Sequence, residues 1–139
     1  MTMAVRKPEH KRNVMSYDRI IISRGDYVEV RVSGIATYAN AVDLWQAIGL
    51  ACEEHQCFKV LGEQNVPNPL STMEAWKHQQ IFLDAGIDSR YKIAWVDTNP
   101  RTYEVTNFIR TVLRNRDIAY GKVFSHFQSA KDWLLNDAD

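Results

Sequence analysis

The sequence predicts a single α/β domain built on a five-stranded mixed sheet, in the order ββαβαβαβα, with an antiparallel first strand and about four helices. Val28, Val30 and Val32 alternate with Glu29 and Arg31, which is typical of a strand with one wet face. Further along the chain, apolar runs alternate with segments of helical periodicity. Such alternation needs crossover connections and gives parallel strands. A chain of 139 residues, 45% of them hydrophobic, is long enough for one core.

The first 16 residues differ from the rest in charge. Their charged residues are four cations and one acid, namely Arg6, Lys7, Lys11, Arg12 and Glu9. Residues 1–16 therefore carry +3 and the remainder −3, because the whole chain is neutral. We expect a basic N-terminal arm that favours solubility, with phosphate binding as the alternative. Residues 17–139 are expected to form the domain.

The first two predicted strands form a hairpin. Residues 18–23 contain three consecutive isoleucines, and residues 27–33 hold the alternating valines. Gly25 lies between them, where a tight turn often needs a positive φ. The hairpin predicts the antiparallel pair.

Two helices follow from capping residues and periodicity. Asn40 is expected to cap a helix that ends near His55. Its apolar residues recur at spacings of three and four, namely Ala41, Leu44, Trp45, Ile48 and Cys52. Ser71 and Glu74 form a predicted capping box for the second helix, and Gly86 is expected to end it.

Two buried strands flank that second helix. Residues 58–62 predict a short strand, and residues 63–70 predict a loop because they contain Pro67 and Pro69. Residues 91–96 are apolar on both faces, which indicates a strand in the centre of the sheet.

The C-terminal third predicts a helix, a strand and a closing helix. Asn99 is expected to cap the third helix, and residues 119–124 form the last predicted strand. Ser125 and Gln128 suggest a second capping box. Trp133 lies on the predicted apolar stripe of the closing helix, so we expect it in the core.

Composition excludes several classes of function. A neutral chain has no net field for a nucleic acid, and no apolar run approaches the roughly 18 residues of a membrane span. The basic N-terminus has no apolar signal segment, so a cytoplasmic protein is expected. Cys52 and Cys57 do not form a disulfide framework and have no further Cys or His pair for a zinc site. We expect no metal, no cofactor and no enzymatic activity.

Few residues suggest chemistry. The phosphate-binding patterns GxxxxGK[ST] and GxGxxG are absent from the sequence. The four histidines are scattered, and His78 is expected at the surface with Glu74 four residues before it. The junctions at residues 65–72 and 97–102 lie where α/β sheets bind ligands. Ser71 and Asn99 are expected there as helix caps, and Asp97 argues against an anion at the second junction.

Several local motifs together resemble a known family. The run VEVRVSG at residues 28–34, a helix, and then FKVL at 58–61 look like the SpoIIAA-like proteins of the STAS superfamily. KIAWVD at 92–97 resembles the "RIAVVGD" strand of those proteins. KVF at 122–124 followed by AKDWL at 130–134 resembles their closing "VRVF…EEARRWL". The match covers residues 18–136, and the resemblance implies a STAS-like fold.

The resemblance also implies a function. Anti-sigma-factor antagonists of this superfamily bind a partner kinase and are switched by serine phosphorylation at the start of the second helix, in a "DSSG"-like motif. Here that place reads PLSTM at residues 69–73, so Ser71 is the possible phosphoacceptor, without the preceding Asp and following Gly. The SpoIIAA-like group also resembles CRAL-TRIO lipid-binding domains, which implies an apolar ligand as the rival.

The leading prediction is therefore a non-enzymatic protein-interaction or regulatory module with an unidentified protein partner. The alternative is a carrier or sensor of a small apolar or lipid-like ligand, motivated by apolar residues on a weakly amphipathic second helix. The predicted ligand or partner surface consists of Asn68, Ser71, Thr72, Met73, Trp76 and Phe82. We also expect a homodimer, because the second strand has a wet face and edge strands need cover.

Overall fold

The computed structural model describes residues 9–13 and 17–136, with side chains described from residue 17 onward. Six strands lie in chain order in one sheet: β1 Glu9–Asn13, β2 Tyr17–Ser23, β3 Val28–Gly34, β4 Lys59–Asn65, β5 Lys92–Asp97 and β6 Tyr120–Phe124. The helices are α1 Tyr38–His55, α2 Thr72–Trp76, α3 His78–Asp84, α4 Pro100–Asn115 and α5 Phe127–Leu135. β2 pairs antiparallel with β3, and β3 to β6 are parallel, which confirms the predicted mixed α/β sheet.

The sheet has one strand more than the sequence predicted. β1 lies within the predicted arm and pairs antiparallel with β2, with Lys11 opposite Arg19. Its sequence, EHKRN, shows no apolar alternation. None is needed, because an edge strand can pair through its backbone alone. The rest of the arm, residues 1–8 and 14–16, lies outside the described residues, as do residues 137–139.

Helices cover both faces of the sheet. α1, α3 and α4 pack on one face, and of the helices in the described residues α5 packs on the other. β5 contributes to both cores, since Ile93 and Trp95 face the first and Ala94 and Val96 face the second. The predicted central, doubly buried strand is therefore confirmed.

The strand β3 is less exposed than its pattern predicted. Val28, Val30 and Val32 are buried as expected, but Glu29 is also buried, at 4% exposure. Its two carboxylate oxygens accept from Arg24 Nε and Arg31 Nε, each at 2.9 Å. These ion pairs compensate for the burial of the carboxylate. The homodimer was predicted on the assumption that this strand lies at an edge of the sheet. β3 instead lies between β2 and β4, so the homodimer stays a prediction and this strand does not support it.

Two of the four helix caps predicted from the sequence are present in the structure. Ser71 Oγ accepts from Glu74 N, and Glu74 Oε1 accepts from Ser71 N, both at 3.1 Å, so the predicted capping box is confirmed. Asn99 Oδ1 accepts from Arg101 N at 2.9 Å and caps α4 as predicted.

The other two predicted caps are wrong. Thr37, not Asn40, caps α1, because its hydroxyl accepts from Asn40 N at 3.0 Å. The Asn40 amide instead donates to the carbonyl of Ile35. α5 begins after His126 and has no side-chain cap, so Ser125 does not form the second capping box.

Three further boundaries or placements differ. β4 continues to Asn65, into the segment predicted as loop. The second predicted helix is interrupted at Lys77 and forms α2 and α3. Trp133 is half-buried rather than in the core. Its ring contacts Tyr120 and Phe124, with centroids 5.3 and 5.7 Å away.

Candidate functional site

A cavity of about 130 Å³ lies on the sheet face that carries α1, α3 and α4. Its floor is formed by residues of β2 to β6, its sides by α1 and α4, and its cover by α3 and the loop after β4. Most of its lining is apolar, and the main wall residues are Leu44, Trp45, Phe82, Ile93, Trp95, Val105 and Ile109. The cavity reaches the surface beside Ile35, which is 46% exposed.

Three aromatic rings form a continuous cluster in this wall. The ring centroids of Trp45 and Trp95 are 5.0 Å apart, and those of Trp45 and Phe82 are 4.3 Å apart. Trp95 lies opposite Gly62 in the register of β4 and β5. A Cβ atom at Gly62 would overlap the six-membered ring of Trp95. The glycine therefore lets the indole lie flat against the backbone of β4, between that strand and the cavity.

A chain of hydrogen bonds fixes the polar edge of the indole. Trp95 Nε1 donates to Gln64 Oε1 at 2.7 Å, and Gln64 Nε2 donates to Asp97 Oδ2 at 3.2 Å. The Asp97 carboxylate is fully buried. It accepts from the hydroxyls of Thr102 and Thr106 at 2.7 and 2.9 Å. The network joins the floor of the cavity to the first turn of α4, so it holds the wall in place.

The N-terminal end of α4 also supports the buried carboxylate. The backbone N–H of Asn99 donates to Asp97 Oδ1 at 3.0 Å. The unsatisfied N–H groups at a helix N-terminus favour a negative charge nearby. Through these hydrogen bonds Asp97 ties α4 to β5.

His78 is a buried titratable residue in the cavity lining, as is Tyr17. Only 3% of the residue is exposed, so the prediction that it lies at the surface is wrong. Its Nδ1 lies 2.9 Å from the carbonyl oxygen of Glu74, and a carbonyl can only accept, so Nδ1 carries the proton. Burial lowers the pKa of His78 below its ordinary value. The imidazole is therefore neutral at pH 7, with Nε2 as a hydrogen-bond acceptor.

Several other polar side chains in the lining hydrogen-bond to protein atoms. Tyr17 donates its hydroxyl to Asp43 at 3.0 Å. Asn68 bridges the two loops at the mouth, since its Oδ1 accepts from Ala36 N at 3.3 Å and its Nδ2 donates to Ala36 O at 3.4 Å. Arg110 donates to Asn107 on its own helix.

The structure divides the predicted surface into two groups. Asn68 and Phe82 line the cavity. Ser71, Thr72, Met73 and Trp76 do not line it and are exposed. Met73 is 60% and Trp76 45% exposed. Ser71 is accessible, and its hydroxyl oxygen is occupied as the cap of α2.

The sequence did not indicate several residues that build the cavity. Trp45 and Trp95 were predicted as ordinary core, and Gln64 fell in a predicted loop. Nothing near Gly62 in the sequence indicated that a glycine is needed there, because the ring that excludes a side chain belongs to Trp95 on the neighbouring strand. Asp97 directly follows the strand predicted at residues 91–96 and is the last residue of β5, and this position at the carboxyl end of the strand was the usable signal.

Comparisons with known proteins do not identify the chain: no protein-family model matches it, and no curated protein sequence matches it. Within residues 17–136, no three His, Cys, Asp or Glu side chains are grouped so that they could share a metal ion. Across the part of the chain that the structure describes, no helix has the length and apolar character needed to cross a membrane.

Proposed function

We propose that this protein binds a small neutral molecule, about the size of one substituted aromatic ring, in the cavity between α1 and α4. The observation that carries the proposal is the 130 Å³ cavity with an aromatic wall at the carboxyl ends of parallel strands. Protein interiors rarely leave spaces much larger than one water molecule. An apolar cavity of about 150 Å³ is large enough for benzene.

The size of the cavity limits the ligand. Sites for drug-sized molecules usually measure about 300–1,000 Å³, well above the volume here. A single ring or a short branched chain fits, whereas a long acyl chain does not. Of the apolar ligands predicted from the sequence, the small ones therefore fit the geometry better than the lipid-like ones. The proposed role is binding, as a carrier or sensor, and it includes no reaction.

The four tryptophans provide a direct test by NMR. Trp45 and Trp95 line the cavity, whereas Trp76 and Trp133 lie outside it. Titration with toluene should shift the indole N–H signals of Trp45 and Trp95 in a saturable way and leave the other two unchanged. Toluene that shifts none of them, or all four equally, would overturn the proposal.

A matched pair of variants sharpens this test. Val105 and Val112 are both half-buried on α4, but only Val105 lines the cavity. Val105→Phe should fill the space and weaken toluene binding at least tenfold, while Val112→Phe should bind as the wild type does. Equal affinity in both variants would contradict the proposed location.

A second candidate, the predicted interaction module, has its own supporting observation. Met73 and Trp76 expose large apolar side chains on the short helix α2, directly after the capping box at Ser71. Exposed tryptophan and methionine are enriched in interfaces. If this surface joins two copies, sedimentation should give twice the chain mass, and the double variant Met73→Glu, Trp76→Glu should be monomeric. A wild-type protein with the mass of one chain would exclude the dimer.

A further inference from the structure

The two cysteines of the sequence lie at the end of α1, where the helix closes in a Schellman motif. Gln56 takes a left-handed conformation with a φ of 49°. Its N–H donates to Glu53 O at 3.3 Å, and the N–H of Cys57 donates to Cys52 O at 3.0 Å. These are the two backbone hydrogen bonds of the motif, and the residues joined by the second bond commonly contact each other through their side chains. In this protein both of those residues are cysteines.

The backbone hydrogen bond brings the two cysteines within reach of a disulfide. With standard bond lengths, the 3.0 Å between Cys57 N and Cys52 O keeps the two Cα atoms less than about 7 Å apart. Cysteines whose Cα atoms are more than about 7 Å apart cannot be bridged without backbone movement. Cys57 also packs against the core cluster that contains Cys52. Both thiols are free in the structure, so it shows the reduced form of a pair whose backbone already suits a disulfide.

The two thiols differ in their access to solvent. Cys52 is fully buried, and this burial, together with the charge of Cys57, raises the pKa of its thiol to about 12. The thiolate is the reactive form, so the Cys52 thiol is protected from an oxidant in solution. Cys57 is partly exposed and is therefore the thiol of the pair that a small oxidant can reach.

We propose that Cys52 and Cys57 form a redox pair that hydrogen peroxide converts to a disulfide. Cys57 is the residue oxidised first, and Cys52 is the residue that resolves the intermediate. Neither cysteine lines the cavity between α1 and α4, so this proposal does not rest on ligand binding there.

The reaction consumes one peroxide and produces two waters. Cys57 loses its proton to solvent, and its sulfur bonds to one peroxide oxygen while the O–O bond breaks. The hydroxide that leaves takes up a proton, and Cys57 becomes a sulfenic acid. The Cys52 sulfur then bonds to the Cys57 sulfur while the S–O bond breaks, and the Cys52 proton joins the leaving hydroxide as the second water. The two thiols are oxidised by two electrons, and the peroxide is reduced by two.

The position of Cys52 explains how a protonated thiol can carry out the second step. Cys52 is a poor nucleophile for a molecule that must diffuse to it, because little of its thiol is ionised at pH 7. The sulfenic acid of Cys57, however, is held beside it by the Schellman motif. Fixed proximity of this kind raises the rate of a step far above that between separate molecules.

Mapping of the wild-type protein tests the disulfide. The folded protein is treated with hydrogen peroxide, the excess is removed with catalase, and the unfolded chain is alkylated with iodoacetamide. Both thiols should be lost to alkylation together, with an intact mass lower by two hydrogen atoms. A glutamate-specific protease cuts after Glu53 and Glu54, so the two cysteine peptides should stay joined until dithiothreitol separates them. Cys52 that is still alkylated after Cys57 has been oxidised would overturn the proposal.

Two matched alanine variants test the order of the steps. Cys52→Ala removes the resolving thiol, so peroxide in the presence of dimedone should label Cys57 severalfold more than in the wild type, where the disulfide forms. Cys57→Ala leaves the buried Cys52 alone and should not be labelled. Equal labelling of the two variants, or of Cys52→Ala and the wild type, would refute the assigned roles. If a variant does not fold, the mapping of the wild type still decides whether the disulfide forms.

Discussion

The contact between Gly62 and Trp95 makes a sharp prediction about stability. In Gly62→Ala, the new methyl group would overlap the six-membered ring of Trp95, so the indole must move. It cannot tilt freely, because Nε1 is held by Gln64 at 2.7 Å and Gln64 is held by Asp97. The methyl group therefore strains the wall of the cavity and breaks the hydrogen bond of the indole.

The size of the effect follows from three contributions. Overpacking a core typically costs about 1–3 kcal/mol. Loss of the indole hydrogen bond adds about 1 kcal/mol. Alanine recovers about 0.5–1 kcal/mol relative to glycine within a strand. We expect Gly62→Ala to lower the free energy of unfolding by about 2 kcal/mol, which moves the urea midpoint by about 1 M.

Gly121 supplies the control. It lies on β6 and also lines the cavity, but a Cβ there would be 3.4 Å from the carbonyl oxygen of Ile93 and 3.8 Å from Arg110 Cγ. Gly121→Ala should therefore leave the urea midpoint unchanged or raise it slightly. Gly62→Ala should also shift the Trp95 indole N–H signal. Equal urea midpoints for the two variants would refute the close contact between Gly62 and Trp95.

The remaining predictions concern a cap, a buried hydroxyl and an aromatic residue, each measured by urea unfolding. Ser71→Ala should lower stability by about 1 kcal/mol, because it removes the acceptor for Glu74 N, and Ser71→Asp should preserve it; equal stability of both would exclude the cap. Thr102→Val should cost about 1–3 kcal/mol by removing a donor to Asp97, and an unchanged midpoint would contradict that bond. Trp133→Ala should cost about 2 kcal/mol, below the roughly 3–5 of a fully buried tryptophan, and a loss in that higher range would place Trp133 in the core.

Periodicity predicted the fold well where one face of an element is buried. The valines of β3, the doubly apolar β5 and the stripe of α1 all lie where their spacing indicated. β1 was not predictable in this way, because backbone pairing at a sheet edge leaves no apolar pattern. The break at Lys77 was also hidden, since no proline or glycine marks it.

The site was less predictable than the fold. Of the predicted ligand or partner surface, Phe82 and Asn68 line the cavity, whereas Met73 and Trp76 are exposed outside it. A cavity forms where side chains of different elements leave space between them, and the spacing of apolar residues along one helix does not predict that space. His78 shows the same limit, because its polar neighbours in the sequence concealed its burial.

Under the proposed function, the side chain of Asn68 also bears on the speed of ligand exchange. It joins the two mouth loops through a pair of hydrogen bonds of 3.3 and 3.4 Å, at the long end of the normal range. Separating these loops breaks two weak contacts and leaves the sheet intact. The mouth should therefore open on the nanosecond-to-microsecond timescale of loop motion, far more often than the domain unfolds. Residence time in the cavity would then be set by one amide side chain rather than by global stability.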